Sequence, residues 1–289
     1  MPRSQEPKRV MTPVVIVFFI MIYFYYATVF ETIDNWLGLN SIVGFLNAVL
    51  FSLLTMMTIL TYIMAIMSDP GTVPLRYRDL ENPDIPLHEV KKNGELRFCM
   101  KCSCYRPPRA HHCSICDKCI LKMWYQDHHC IWVSNCVGHQ NYKIFILVVM
   151  YALATCGHAT ILLICAARDV FKTQEQTGEA YKISHITCGA LLFPVTFVLT
   201  MLFLWHIYLA LHNKTTIEHA QGVRERCLLD GVADIHRHPY DLGAYENFSL
   251  LFGRNAACWI CPTKVDNGSG LHFRTTLDGT ISAASSSSM

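Results

Sequence analysis

Charged residues are scarce in this chain, and their scarcity limits what the chain can be. Lys, Arg, Asp and Glu make up 16% of the 289 residues, whereas hydrophobic residues make up 52%. This composition excludes an ordinary soluble domain and favours a multi-pass membrane protein. The net charge of +2 is also too small for the basic surface of a nucleic-acid-binding protein. We therefore expect the lipid bilayer, and no nucleic acid, among its partners.

Four long stretches contain no charged residue at all. They cover residues 14–30, 44–67, 144–167 and 186–211. About 17 to 25 apolar residues in a helix suffice to cross the hydrocarbon core of a bilayer. The first stretch lacks a convincing small-residue cleavage site, so we interpret it as a retained helix and not as a secretory signal. The sequence thus predicts four transmembrane helices.

Basic residues are missing from one loop and frequent in another, which predicts the orientation. Residues 31–41 contain no Lys or Arg, whereas residues 68–143 are rich in both. Because basic loops stay in the cytosol, we expect the second loop and both termini there. The predicted division is residues 1–67 with two helices, 68–143 as a cytosolic cysteine-rich domain, 144–211 with two helices, and 212–289 as a cytosolic region with a disordered tail.

The cytosolic loop holds eight cysteines and four histidines between Cys99 and Cys136. The cytosol keeps thiols reduced, which disfavours a disulfide framework and favours metal ligation. Paired Cys-x2-Cys steps with histidines at intervals allow short loops to close around tetrahedral zinc. Two closed sites need eight ligands, and the loop offers more. A segment of about 40 residues buries too little apolar area to fold alone, so we expect short hairpins held by metal.

The residues alone leave the division of these ligands open. Two stretches show the same spacing and look like two copies of one unit: Cys99-x2-Cys102-x9-His112 and Cys116-x2-Cys119-x9-His129. Such a repeat would favour one zinc ion in each copy.

A larger set of residues matches one known pattern. The set comprises Cys99-Met-Lys-Cys102, Arg106-Pro-Pro-Arg109, His112-Cys113, Cys116, Cys119, Asp127-His-His-Cys130, Trp132, Asn135-Cys136, Gly138 and Asn141-Tyr142. It resembles the DHHC cysteine-rich domain of the protein S-acyltransferases, or palmitoyltransferases. Flanking elements of the family are matched by Asp69-Pro70-Gly71, Thr215-Thr216-Ile217-Glu218, Asn247 and Phe252-Gly253. The resemblance implies an α-helical multi-pass membrane protein whose four transmembrane helices carry a cytosolic two-zinc cysteine-rich domain between helices 2 and 3.

The resemblance also implies how the metal ligands are divided. Similar domains interleave their ligands into two closed structural sites, each with three cysteines and one histidine. By this pattern one zinc ion is held by Cys99, Cys102, His112 and Cys119. The other is held by Cys113, Cys116, His129 and Cys136.

This division leaves Cys130 without a metal, beside Asp127 and His128. Only a thiolate attacks a thioester, and a neighbouring imidazole can accept the thiol proton. Asp127 would orient His128 and stabilise its imidazolium form. In the family, palmitoyl-CoA or another long-chain acyl-CoA acylates this cysteine, and the acyl group passes to a cytosolic cysteine of a membrane-associated protein. Members of the family are most often located in the Golgi, and the endoplasmic reticulum and the plasma membrane are the alternatives.

The sequence departs from the family pattern just before the nucleophile. Trp124-Tyr125-Gln126 is inserted ahead of Asp127, and Ile131 stands where proline is usual. A misplacement of about 1 Å can cost on the order of 10²-fold in rate. The insertion therefore keeps open a second hypothesis, a catalytically impaired zinc-binding membrane scaffold. A third, a RING-type membrane ubiquitin ligase, is disfavoured because it predicts a different ligand order.

Four further features lie outside the cysteine loop. Thr216 is expected to hydrogen-bond near the acidic residue of the catalytic run, and Asn247 to brace that run or to lie in an interfacial anchor. His158 in the third charge-free stretch is interpreted as a partner in an interhelical hydrogen bond. Cys258 and Cys261 are interpreted as free or self-acylated thiols.

Overall fold

The structure is a computed structural model that describes residues 11–74, 87–89, 97–123, 129–172, 179–221, 225–227 and 238–276. It divides into two compact units. The unit that we call the membrane unit comprises Val10–Ile66 and Ile144–His206. The other unit comprises the described residues of Met67–Lys143 and Ile207–Met289. We call it the cytosolic unit after the side of the membrane that the sequence predicts for it.

Long helices match the four charge-free stretches. Helix α1, Thr12–Tyr26, continues through a π-helical segment, Ala27–Ile33, into α2, Asp34–Leu37. Helix α3 is Ile42–Met67, α4 is Tyr142–Lys172 and α5 is Glu179–Leu211. In the described part of the chain, four helical stretches are long and apolar enough to cross a membrane: Thr12–Leu37, Ile42–Met67, Tyr142–Asp169 and Tyr181–Leu211. The prediction of four transmembrane helices is confirmed.

Hydrogen bonds between helices accompany the apolar core of the membrane unit. That core includes Phe24, Phe51, Leu163 and Leu192. His158 Nε2 lies 3.1 Å from Asn47 Oδ1, so the interhelical hydrogen bond predicted for His158 is confirmed. The hydroxyl oxygens of Thr58 and Thr155 lie 2.9 Å apart. Both contacts connect α3 to α4, so hydrogen bonds as well as apolar packing hold these two helices together.

Short antiparallel pairs of strands form the sheets of the cytosolic unit. The strands are β1 (Leu87–Glu89), β2 (Phe98–Cys99), β3 (Cys104–Tyr105), β4 (His111–Cys113), β5 (Lys118–Ile120), β6 (His129–Cys130), β7 (Asn135–Cys136) and β8 (Glu225–Cys227). Strand β1 pairs with β8, β2 with β3, β4 with β5, and β6 with β7. Each strand has only two or three residues, which confirms the expectation of short hairpins.

The chain that follows α3 packs against the β4–β5 hairpin. Leu121 donates its backbone N–H to the carbonyl of Gly71 at 2.9 Å. Gly138 lies on the same seam, where a Cβ atom would stand 2.4 Å from the Pro70 carbonyl oxygen and 2.6 Å from Ile120 Cγ2. Only glycine fits this close approach of two backbone segments.

The C-terminal part of the cytosolic unit contains two short helices, α6 (Thr216–Gln221) and α7 (Ala244–Phe252), and a 3₁₀ turn, Ala256–Cys258. Aromatic rings connect the turn to α7. Phe248 stacks on Phe252 with ring centroids 4.4 Å apart, and the Trp259 ring meets Phe248 edge-on at 4.9 Å. The turn is therefore packed onto the helix.

Candidate zinc centres and nucleophile

Cys99, Cys102, His112 and Cys119 bring one ligand atom each to within 4.8 Å of one another. Cys99 ends β2, Cys102 lies in the turn before β3, and His112 faces Cys119 across the β4–β5 sheet. The Nδ1 atom of His112 lies 3.5, 3.2 and 3.8 Å from the sulfurs of Cys99, Cys102 and Cys119. We call these residues the first group.

Cys113, Cys116, His129 and Cys136 form the second group, with the same 4.8 Å limit between ligand atoms. His129 faces Cys136 across the β6–β7 sheet. The Nδ1 atom of His129 lies 3.2 Å from the Cys116 sulfur and 4.0 Å from the Cys136 sulfur. These two sulfurs lie 3.4 Å apart.

The alternation of side chains along a strand explains why the two groups interleave. His112 and Cys113 are neighbours on β4, so their side chains point to opposite faces. His112 meets Cys119 in the first group, and Cys113 belongs to the second. The apparent sequence repeat would place Cys116 and Cys119 in one site, but the structure divides them between the groups.

Both groups have the donors and the spacing of a closed zinc site. With Zn–S bonds of about 2.3 Å and Zn–N bonds of about 2.0 to 2.1 Å, tetrahedral ligands lie about 3.6 Å apart for N and S and about 3.8 Å apart for two sulfurs. The Nδ1–Sγ distances in the two groups range from 3.2 to 4.0 Å, so they lie on both sides of the N–S distance expected for zinc ligands. Three thiols and an imidazole are ligands that zinc prefers. Each group can therefore hold a zinc ion, as expected.

The thiols of the second group cannot all ionise without a cation. Hydrogen bonds with Cys116 and Cys136 lower the pKa of Cys113, whereas hydrogen bonds with Cys113 and Cys116 raise the pKa of Cys136. Hydrogen bonds with Cys113 and Cys116 raise the pKa of His129 to about 9. A doubly charged cation among these atoms would let all three sulfurs ligate as thiolates.

Cys130 belongs to neither group among the described residues. It follows His129 on β6, so its side chain points to the other face of the strand, and it pairs with Asn135 on β7. Burial raises the pKa of the Cys130 thiol, and hydrogen bonds from the backbone of Val133 and Trp132 oppose this effect. A base is therefore needed to form the thiolate at neutral pH.

The predicted base and its partner, His128 and Asp127, lie outside the described residues, as does the inserted Trp124-Tyr125-Gln126. On the N-terminal side of this gap the described chain ends at Met123. The Met123 N–H donates to the carbonyl oxygen of Arg109 at 3.1 Å. Arg109 therefore contacts the residue that precedes the inserted Trp124-Tyr125-Gln126.

A buried ion pair that the sequence analysis did not assign joins Arg109 to α6. Arg109 is 1% exposed, and its Nε and Nη2 atoms donate to the two carboxylate oxygens of Glu218 at 2.7 and 2.8 Å. Glu218 also accepts the N–H of Thr215, whose hydroxyl accepts the N–H of Glu218. This reciprocal pair is a capping box, and its Thr-x-x-Glu spacing was a readable signal for the start of a helix.

Asn213 completes the surroundings of Arg109. Its side-chain oxygen accepts from Arg109 Nη1 at 3.1 Å and from Lys122 Nζ at 2.9 Å. Its backbone carbonyl accepts from Arg109 Nη2 at 2.6 Å, and the guanidinium lies 4.3 Å from the centroid of the Tyr240 ring. The contact expected between Thr216 and Asp127 involves a residue outside the described part, so it stays a prediction.

Asn247 is buried and connects the end of α5 to the start of α7. Its side-chain nitrogen donates to the carbonyl of Leu211 at 2.7 Å and to Asp241 Oδ1 at 2.6 Å. Its oxygen accepts the N–H of Leu242 at 3.0 Å. The bracing role of Asn247 toward the catalytic run stays a prediction.

Comparison with known proteins agrees with this geometry. The sequence profile of the DHHC palmitoyltransferase family matches residues 92–223. "Probable protein S-acyltransferase 16" of Arabidopsis thaliana is 45% identical over 269 residues, which are 92% of this chain and 93% of that protein. "Probable protein S-acyltransferase 15" of the same plant is 40% identical, and the match covers 88% of this chain and 98% of that protein. "Palmitoyltransferase ZDHHC2" of Mus musculus is 36% identical, and the match covers 67% of this chain and 50% of that protein. The chain therefore belongs to the DHHC palmitoyltransferase family.

Proposed function

We propose that this protein S-acyltransferase carries its acyl group on Cys130. The observation that supports the proposal is the place of Cys130, directly after a member of the second group yet outside both groups. A sulfur so placed is positioned by the hairpin backbone and stays available for chemistry. The proteins to which the chain is similar are named as S-acyltransferases and palmitoyltransferases.

The two groups serve this reaction by holding the hairpins. One zinc ion is assigned to Cys99, Cys102, His112 and Cys119, and the other to Cys113, Cys116, His129 and Cys136. When bound, these ions supply structure, because four protein ligands leave no open position for a substrate. Since His129 precedes the nucleophile, the second group fixes the backbone at Cys130.

The reaction consists of two thioester exchanges. In the first, the Cys130 sulfur attacks the carbonyl carbon of a long-chain acyl-CoA, and the bond to the CoA sulfur breaks. In the second, the thiol of a protein substrate attacks the thioester on Cys130. His128 takes the proton of the attacking thiol and returns it to the leaving sulfur in each step, and Asp127 orients His128. No energy source beyond the acyl-CoA is needed.

The acceptors are cytosolic cysteines of membrane-associated proteins, because the many basic residues of 68–143 predict that the nucleophile faces the cytosol. The proposed location is an endomembrane, with the Golgi as the first compartment to test and the endoplasmic reticulum and plasma membrane as alternatives. Imaging of a fluorescent fusion beside organelle markers tests this assignment.

The test of the proposed function is acyl trapping on the purified full chain. The protein is incubated with alkyne-tagged palmitoyl-CoA and then treated with neutral hydroxylamine, which cleaves thioesters. Wild type, Cys130→Ser and a variant lacking Trp124-Tyr125-Gln126 are compared. Cys165→Ser, which replaces a cysteine of α4 outside both groups, is the matched control.

We expect hydroxylamine-labile label on Cys130 in wild type and Cys165→Ser, and no label at that position in Cys130→Ser. Undiminished label in the Cys130→Ser peptide that spans position 130 would refute the assignment of the nucleophile. An unlabelled wild type that becomes labelled after the deletion would instead show that the insertion blocks the reaction, as in the scaffold hypothesis.

A further inference from the structure

Two cysteines of the cytosolic unit remain outside the reaction described above. Cys258 and Cys261 flank Trp259 and Ile260 in the 3₁₀ turn and the residues after it, and neither forms a disulfide. Cys261 donates its backbone N–H to the Cys258 carbonyl at 3.2 Å, so a tight turn keeps the two residues together. Both are half-buried, and the chain between them is exposed at Ile260.

A buried lysine is bound to this turn. Lys143 is 4% exposed, and its ammonium group donates to the carbonyl of Cys258 at 3.0 Å, to the carbonyl of Phe252 at 3.4 Å and to the Thr263 hydroxyl at 3.3 Å. Among the described contacts of Lys143 there is no carboxylate that neutralises it.

This charge has a chemical use. A thiol that attacks a carbonyl group passes through a state in which negative charge develops, and a cation bound to the same turn stabilises that charge. The three groups that accept hydrogen bonds from the Lys143 ammonium are neutral, so they do not cancel its positive charge. The turn therefore has two half-buried cysteines and a bound cation whose charge supports nucleophilic attack.

Exposed apolar side chains lie on the turn and on α7, the helix against which Trp259 packs. Ile260 is 59% exposed, and Tyr245 and Leu250 on α7 are 65% and 38% exposed. The Trp259 ring packs on Phe248 of α7 and donates its N–H to the Gly253 carbonyl at 2.7 Å. Lys143 itself lies at the start of α4, the third helix that can cross a membrane. These features favour a hydrocarbon chain as the group attached to the turn.

We propose that Cys258 and Cys261 form a second acylation site, which receives fatty acyl groups from the thioester on Cys130. The sulfur of Cys258 or Cys261 attacks the acyl carbonyl carbon, the bond to the Cys130 sulfur breaks, and the proton of the attacking thiol passes to Cys130. One thioester is exchanged for another. This inference rests on the proposed function, because acyl-Cys130 is the donor.

The test locates acyl groups on the purified full chain after incubation with palmitoyl-CoA. Trypsin cuts after Arg254 and Lys264, so one peptide, residues 255–264, carries both cysteines of the turn. Cys130 lies in a different peptide, residues 123–143, which becomes residues 123–168 in Lys143→Met because this variant lacks the cleavage site after residue 143. Mass spectrometry of both peptides, with and without neutral hydroxylamine, therefore reads the two sites separately. The proteins compared are wild type, Cys130→Ala, Lys143→Met, Cys258→Ser/Cys261→Ser and, as a matched control, Cys156→Ser/Cys165→Ser.

We expect hydroxylamine-labile palmitate on the 255–264 peptide of wild type and of the control, and its loss in Cys130→Ala. Lys143→Met should lose this label while acylation at Cys130 remains. Cys258→Ser/Cys261→Ser should keep acyl-Cys130, which shows that the fold is intact.

Three outcomes overturn the inference. An unmodified 255–264 peptide beside an acylated Cys130 refutes the second site and leaves the proposed function intact. Equal label on this peptide in wild type and Cys130→Ala shows direct reaction with acyl-CoA, without transfer from Cys130. An unlabelled Cys130 together with an unlabelled turn refutes the proposed function and the inference with it.

Discussion

The carboxylate of Glu218 serves two parts of the cytosolic unit at once. It caps the first turn of α6 through Thr215 and accepts two hydrogen bonds from Arg109. Burial alone would raise the pKa of Glu218, but the charge of Arg109 and hydrogen bonds from His238, Arg109 and Thr215 hold it well below the ordinary range. The side chain is therefore ionised at every physiological pH.

Replacing Glu218 by Gln should strongly destabilise the protein. The change leaves the buried Arg109 charge without its partner, and breaking a buried pair in this way costs about 3–5 kcal/mol. Thermal unfolding of the full chain in detergent measures the effect. The control is Glu246→Gln, because Glu246 and Arg274 are exposed and 4.0 Å apart, so its effect should stay within about 0.5 kcal/mol. Equal shifts in Tm for both variants would contradict the proposed role of the buried pair.

The lowered pKa of Glu218 also determines how the stability of the protein changes with pH. A carboxyl group whose folded pKa is depressed adds stability above its unfolded pKa, and this contribution is lost as the pH falls through the folded pKa. The unfolded value is about 4.3. The difference in Tm between wild type and Glu218→Gln should therefore persist from pH 7 to pH 5 and shrink only below about pH 4. A difference that disappears between pH 6 and pH 5 would show that the pair is not ionised as described.

At the scale of elements, the seam between the chain after α3 and the cysteine hairpins depends on one glycine. Gly138→Ala would place a methyl group 2.4 Å from the Pro70 carbonyl oxygen. Backbone atoms cannot move aside as a flexible side chain can, so we expect a loss of about 1–3 kcal/mol in stability. Thermal unfolding in detergent measures this loss.

Gly157→Ala, in helix α4, is the matched control for Gly138→Ala. Nothing lies within 4 Å of the Cβ position at Gly157, and alanine is favoured over glycine within a helix by about 1 kcal/mol. The two substitutions should shift Tm in opposite directions. A Gly138→Ala variant as stable as wild type would show that the two segments are not in close contact.

At the scale of the whole molecule, the two possible divisions of the zinc ligands, interleaved or one per sequence repeat, predict different metal contents for the same double variant. Cys102 and Cys119 lie in the same group of the structure, so Cys102→Ala/Cys119→Ala should remove one of the two zinc ions. Cys102→Ala/Cys116→Ala damages both groups and should remove both ions. The repeat predicts the reverse for Cys102→Ala/Cys119→Ala, namely the loss of both ions. Metal analysis of the purified protein, with Cys130→Ala as a control that keeps both ions, decides between the two arrangements.

Much of this molecule could be predicted from local sequence. The four spans were predicted from long charge-free stretches. That the cysteines and histidines of the loop ligate metal was predicted from their spacing and ligand chemistry. The pairing of Arg109 with Glu218 could not be read in this way, because the partners are 109 residues apart and no local pattern connects them. The strand alternation that separates His112 from Cys113 depends on hairpin register, which two- or three-residue strands barely encode.

The order in which the chain is made gives the Arg109–Glu218 pair a further consequence. Glu218 is synthesised 109 residues after Arg109, which takes a ribosome roughly 5 to 20 s at about 5–20 residues per second. The last two spans are translated within that interval. The cysteine hairpins can bind metal while translation continues, but their arginine gains its carboxylate only after the fourth span has been made. Completion of the cytosolic unit therefore waits until all four spans have been translated, and a chain that ends before Glu218 lacks the carboxylate that pairs with Arg109.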